Sequence, residues 1–175
     1  EDKGSRYANP TMLEGAAGSD GKLLTYQGRY GEEIWVEKIV DFFDQHRGVP
    51  TFVYYPMALP HWPFEPTPDT PNFDPQQVPE ESVEYFDDMV EYMDTAIGNL
   101  LAGLKSKGLS ENTIVIFYSD NGTHTMVQSK LADGRVIEGG KATPKQTGIH
   151  VPLIVHWPGH IAPSVCGDLV DASDF

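Results

Sequence analysis

Cysteine is nearly missing from this chain: Cys166 is the only one in 175 residues. No disulfide can therefore close within it, and the redox compartment stays open. Positive charge is scarce too. Twelve lysines and arginines stand against 26 aspartates and glutamates, a formal net charge of −14. That balance argues against nucleic acid or an anionic membrane as the main partner. It leaves room for an anionic small substrate, because a few local cations can reverse the potential inside one cleft. No apolar run approaches the roughly 20 residues of a membrane helix, no signal-peptide pattern opens the chain, and there is neither a repeat nor a low-complexity tract.

What is present is ordinary for a folded domain. Hydrophobic content of 39% and charged content of 22% are those of a globular protein, and the length suits one domain with a real core. The opening residues, Glu1-Asp2-Lys3-Gly4-Ser5-Arg6, do not read as a natural start, so a piece of something longer is expected.

Along the chain, "EGAAGSDGK" (Glu14–Lys22) reads as an exposed loop or turn. "GEEIWVEKIVDFFDQHRG" (Gly31–Gly48) reads as a helix with Ile34, Ile39, Phe42 and Phe43 on its apolar side, acids at its start and Gly48 at its end. "TFVYY" (51–55) is short, β-branched and aromatic, which predicts a buried strand. Residues 56–79 form a long proline-rich loop, a feature more often functional than idle. A second helix is expected from near Glu80 to Gly108, with Val83, Phe86, Val90, Met93, Ile97, Leu100 and Leu104 along one face. The runs at 113–118 and 151–159 are continuously apolar, which predicts strands covered on both faces, as in a parallel sheet. Strand, helix and strand in that order give an α/β layered fold with a mostly parallel sheet flanked by helices.

Ligands in such sheets sit beyond the carboxyl ends of the strands. His61 lies just past strand 51–55 in "PHWP", and "SDNG" (Ser119–Gly122) ends strand 113–118. If the two strands are neighbours, His61, Asp120 and Asn121 share one edge. Asp120 and Asn121 offer hard oxygens suited to Ca²⁺ or Mg²⁺, although Asp-Asn-Gly taken alone reads first as a turn. Lys141 follows two glycines, where backbone can approach an oxyanion closely, although alone it reads as a solvated lysine. His124, Lys130 and Lys145 are weaker candidates that read as surface residues. His150, His156 and His160 read as structural or exposed, with His156 a core histidine inside its strand.

Three stretches together resemble the sulfatase family of the alkaline-phosphatase-like superfamily: "YYPMALPHWP", "YFDDMVEYMDTAIGNLLAGLKSKGLSENTIVIFYSDNG" (Tyr85–Gly122) and "GGKATPKQTGIHVPLIVHWPGHIAP". The likeness runs from about residue 7 to 175, including the terminal "LVDASDF". It implies an α/β alkaline-phosphatase-like fold and hydrolysis of a sulfate ester on a small molecule or sulfated carbohydrate. It implies that Asp120 and Asn121 are two ligands to a divalent ion, Ca²⁺ or Mg²⁺, and that His61 and Lys141 hold the sulfate oxygens. It also implies an exported parent protein, periplasmic, extracellular or lysosomal.

The pattern is incomplete. The formylglycine nucleophile of such enzymes arises from Cys or Ser in a Cys/Ser-x-Pro/Ala-x-Arg motif, and neither that motif, the Asp pair of the first strand nor a Lys-x-His segment occurs here. Cys166, in "PSVCGDL", is read as structural. Where the family carries "KGTTYEGGIRVP", this chain has "KATPKQTGIHVP", retaining Lys141, Thr143, Gly148, Val151 and Pro152. Residues 1–175 are thus expected to be a partial catalytic domain, inactive alone, with a sheet edge open to self-association. A phosphonate monoester or phosphodiester hydrolase, and a non-catalytic binding protein that kept the fold, are the alternative readings.

Overall fold

Residues 5–77 and 79–174 are described by a computed structural model of the chain. The first apolar periodicity folds as α1, Gly31–Gln45, with Glu32 and Glu33 in its first turn and Ile34, Ile39 and Val40 buried. The second gives α2, Tyr85–Ser106, which starts later than Glu80 and stops where Gly108 takes φ +67. There the Gly108 and Leu109 amides turn back to the Lys105 and Leu104 carbonyls, at 2.9 Å each, which satisfies carbonyls that the helix end would leave unpaired.

The buried face of α2 consists of Met89, Tyr92, Ala96 and Leu104. Of the expected stripe, Leu104 is buried, while Phe86, Val90, Met93, Ile97 and Leu100 flank the buried face half-buried and Val83 is exposed. The offset has a cause in packing. Tyr92 meets the edge of Tyr30 with ring centroids 5.1 Å apart, and α2 approaches α1 closely enough that a Cβ on Gly103 would lie 2.6 Å from Val40 Cγ2. Tyr30 also stacks on Tyr7 at 6.0 Å and 17°. This aromatic group, with Leu59, Phe64 and Met89, is the main core.

Three antiparallel pairs complete the described strands. β1 (Thr11–Glu14) and β2 (Lys22–Thr25) form a hairpin around the expected loop. β3 (Val115–Tyr118) pairs with β6 (Leu153–His156), in the register Val115 opposite His156 and Tyr118 opposite Leu153. β4 (Gln128–Lys130) and β5 (Val136–Glu138) make a second hairpin, between them a turn at Asp133-Gly134 in which Gly134 adopts φ +87. A single helical turn, α3 (Gln146–Ile149), precedes β6. No helix among the described residues is long and apolar enough to cross a membrane.

Three expectations are corrected. The β3 and β6 runs are antiparallel neighbours, not parallel ones, and they are not covered on both faces, with Ile116, Ile154 and Val155 exposed; a continuous apolar run carries no strand direction, and mixed sheets are common in α/β folds. Residues 51–55 are extended but lack a ladder partner among the described residues. They alternate half-buried and exposed, with Phe52 85% and Tyr54 79% exposed, so the strand expected to be buried shows one face to solvent. His156 is exposed within β6 rather than a core residue.

Phe64 is fully buried and meets the edges of Trp62 and Phe86, at 5.4 and 5.3 Å. It ties the proline-rich loop to the start of α2. Replacing it with alanine removes a core aromatic, so Phe64→Ala should cost about 3–5 kcal/mol of unfolding free energy, measured by urea denaturation of this chain. A loss below about 1 kcal/mol would show that the loop is not part of the cooperative core.

Candidate functional site

The loop carrying His61 is pinned by core side chains on both flanks. Leu59 is 5% exposed, and the Phe64 ring is wholly inside. Between them the His61 amide donates to the Ala58 carbonyl at 3.0 Å, closing a tight turn. The imidazole itself is exposed. Its Nδ1 lies 2.5 Å from the Trp62 carbonyl and 3.1 Å from Arg6 Nη1. These two contacts demand opposite proton positions. A guanidinium only donates, so Nδ1 accepts from Arg6 when the proton is on Nε2, and it donates to Trp62 when the proton is on Nδ1. Arg6 Nη1 reaches the same carbonyl at 3.0 Å, and the Tyr7 hydroxyl donates to the His61 carbonyl.

The turn after β3 is docked by backbone. Ser119 N donates to the Pro152 carbonyl at 3.3 Å, and the Ser119 hydroxyl donates to the Asn121 carbonyl at 2.9 Å. Gly122 N then donates to Gly148 O at 3.0 Å, and Lys141 N to Thr123 O at 2.9 Å. The segments cross so closely that a Cβ on Gly122 would lie 1.9 Å from the Thr147 carbonyl oxygen. Only glycine fits there. This crossing sets the Asp120-Asn121 pair beside Lys141 along the chain's own backbone. Asp120 is exposed, Asn121 and Lys141 half-buried, and no hydrogen bond or ion pair among the described residues engages the Asp120 carboxylate or the Lys141 ammonium.

His124 links the two parts. Its ring stacks over Trp62 (6.1 Å, 25°) and meets Phe64 edge-on, while its Nδ1 accepts from the Met126 amide at 3.2 Å. The surface reading of His124 is therefore corrected: it packs the His61 loop against the Asp120 turn. The structure thus brings the segments bearing His61, Asp120, Asn121 and Lys141 together, with no hydrogen bond or ion pair among those four side chains. Lys130, Lys145, His150 and His160 are exposed, the last stacked on Trp157 at 4.0 Å. Cys166 is exposed as well, so the structural reading of it is not supported by burial.

The oxygens of Asp120 and Asn121 suit a hard divalent cation. No group of three or more His, Cys, Asp or Glu residues that could hold an ion is found among the described residues. The pair fits part of a Ca²⁺ or Mg²⁺ shell in its donor chemistry.

Two buried carboxylates were not legible beforehand. Glu65, 3% exposed, accepts from the Ser5 hydroxyl at 2.5 Å and from the Arg6 amide at 3.4 Å, and so holds the segment that touches His61. Burial pushes its carboxyl up, with the Ser5 hydroxyl pulling the other way. Glu32, one of the acids at the start of α1, is 1% exposed and its Oε2 makes no hydrogen bond. Burial raises its carboxyl to about 7, opposed by its own backbone amide and by those of Ala58 and Leu59. Burial likewise raises the phenols of Tyr7, Tyr30, Tyr55 and Tyr92. A charged residue inside "PFEPTP" was the one available signal for Glu65; nothing local marked Glu32.

A carboxyl raised from 4.5 to about 7 keeps its proton in the folded state over a window in which the unfolded chain has lost it. Stability must then fall as pH rises from about 4.5 to about 7, by roughly 3 kcal/mol. Glu32→Gln removes this slope. The variant's stability relative to the parent chain should improve by that amount between pH 4 and pH 8 in urea denaturation, and an unchanged difference would contradict a Glu32 carboxyl that keeps its proton on folding.

The family model described as Sulfatase matches residues 4–175. Arylsulfatase A of Homo sapiens is 34% identical over 131 residues, covering 74% of this chain and 24% of that protein. The arylsulfatase of Hemicentrotus pulcherrimus is 27% identical over 168 residues, 96% of this chain and 28% of that protein. The endo-4-O-sulfatase of Bacteroides thetaiotaomicron is 38% identical over 104 residues, 59% of this chain and 19% of that protein. The chain spans about a quarter of the length of the curated relatives it matches. Among solved structures, Ps i-CgsB in complex with k-i-k-neocarrahexaose has a TM-score of 0.57 at 26% identity, over 81% of this chain and 31% of that one. These likenesses fit the alkaline-phosphatase-like α/β fold, of which the chain holds a portion.

Proposed function

The chain belongs to the sulfatase family, and on that premise we propose that its whole protein hydrolyses a sulfate ester, with residues 1–175 a partial catalytic domain. His61 and Lys141 hold the sulfate oxygens, and Asp120 and Asn121 are two of the ligands to Ca²⁺ or Mg²⁺. One observation supports this reading above others. The crossing at Gly122 and Gly148, with the Trp62–His124 stack, gathers the three segments that carry these four residues.

Each residue has a defined task. The Lys141 ammonium, without a carboxylate partner among the described residues, is available to a sulfate oxygen. His61 with its proton on Nε2 donates a hydrogen bond to a sulfate oxygen while Nδ1 accepts from Arg6; as the imidazolium, with Nδ1–H donating to the Trp62 carbonyl, it gives the Nε2 proton to the departing alkoxide and is left as neutral imidazole. Two backbone contacts, from Tyr7 and to Ala58, fix the loop so that the ring needs little reorganisation. A bound divalent cation would supply positive charge against the charge that develops around the transferred group. The formylglycine nucleophile belongs outside these 175 residues, so this chain alone should not turn over substrate.

The substrate class we propose is a sulfated carbohydrate. Support comes from the names of relatives, an endo-4-O-sulfatase and N-acetylgalactosamine-6-sulfatases, and from the oligosaccharide bound to Ps i-CgsB. Phe52, Tyr54 and Ile154, exposed on extended segments, would be covered by further strands of the whole domain; alone they leave this chain open to self-association. By family resemblance the whole protein is exported.

In the whole protein, His61→Ala should lower turnover of a sulfate ester by about 10²–10⁴-fold with circular dichroism unchanged; unaltered turnover would remove His61 from the chemistry. Asp120→Ala should abolish stoichiometric Ca²⁺ or Mg²⁺ binding in calorimetric titration, and retained binding would remove Asp120 from the metal shell.

A further inference from the structure

We propose that Glu32 is a positioning residue for His61, holding the turn that carries the imidazole from beneath through the backbone at Ala58 and Leu59. The proposal rests on the reading of His61 given above. Glu32 does not touch the candidate substrate site itself.

The geometry converges on it. Glu32 lines a cavity of about 260 Å³ together with Arg6, Tyr7, Trp35 and Ala58. Each of three neighbours in that cavity also acts on the histidine. Arg6 approaches its Nδ1, the Tyr7 hydroxyl donates to its carbonyl, and the Ala58 carbonyl accepts its amide hydrogen. The amides of Ala58 and Leu59 favour the charged form of the Glu32 carboxylate. Glu32 and Ala58 share one cavity wall, and the Ala58 carbonyl accepts the His61 amide hydrogen, so a single turn of backbone separates the carboxylate's surroundings from His61.

The position is costly for stability alone. A carboxylate on the first turn of a helix gains from the dipole when solvated, yet here it is 1% exposed and one oxygen has no partner. Buried, under-satisfied groups cluster where a site must be held in one geometry. The charged and titratable groups facing Glu32 come from every packed element. They are Arg6 and Tyr7 from the N-terminal segment, Tyr30 at the start of α1, Tyr55 from the extended segment, Tyr92 from α2, and Glu65 through Tyr7 and Tyr30.

The test compares this chain with Glu32→Gln and Glu32→Ala by amide NMR. In the parent chain, the Ala58 and Leu59 amide shifts should show a titration step near pH 7 that Glu32→Gln removes; persistence of the step in the glutamine variant overturns the proposal. Glu32→Ala should speed hydrogen exchange of the Ala58, Leu59 and His61 amides at least tenfold, with α2 amides unchanged, and Glu32→Gln, whose carbonyl oxygen still accepts, should restore protection to within about threefold. Uniform acceleration that includes α2, or no acceleration at the loop, overturns it. In the whole protein, the drop in kcat caused by Glu32→Ala should be rescued by Glu32→Gln. Should His61→Ala leave turnover intact while the loop amides respond to Glu32, the reading of His61 fails and the anchoring of the loop stands.

Discussion

The close crossing of two chain segments at Gly122 and Gly148 is the constraint on which the candidate site depends. Without a Cβ at residue 122, backbone meets backbone, and two hydrogen bonds fasten the Asp120-Asn121 turn to the Lys141 segment. A turn placed this way needs no contact between the functional side chains themselves. The Asp120 carboxylate and the Lys141 ammonium make no ion pair among the described residues, as the roles proposed for them on an ion and a substrate require. The His61 loop joins the arrangement from the other side through packing, the Trp62 and Phe64 rings meeting His124.

Beneath the loop lies a core with more polarity than its burial would suggest. Tyr7 and Tyr30 stack, Tyr92 and Phe73 meet Tyr30 edge-on, and two glutamates are inside with them. Aromatic pairs add to the apolar area they bury, and this offsets part of the desolvation of Glu32 and Glu65. Both carboxylates act on segments that bear on His61, Glu65 through Ser5 and Arg6, Glu32 through Ala58 and Leu59. Stability and placement of the histidine are thus coupled in one group of side chains.

The two helices were legible because their apolar residues recur at helical spacing over long stretches, and Gly48 and Gly108 stop them as their positive φ requires. Strand direction was not. Nothing in "TIVIFY" or "PLIVH" distinguishes a parallel from an antiparallel neighbour, since pairing is decided by residues far apart in sequence. The β4–β5 hairpin is barely marked in the sequence although Asp133-Gly134 is a turn signal, because the flanking runs are short and polar. The four site residues came from motif and resemblance. Their supports, Arg6, Glu32 and Glu65, did not, because each acts through a contact spanning at least 26 positions of chain between residue 32 and residue 58, or more.

A double-mutant cycle on His61→Ala and Lys141→Ala, read as turnover of a sulfated carbohydrate by the whole protein, tests most directly that these segments form one site. Residues acting as a unit on one group are strongly non-additive. The account expects each single variant to lose most of the activity and the double variant to be little worse than either. Strictly additive losses, or full activity in either single variant, would contradict it.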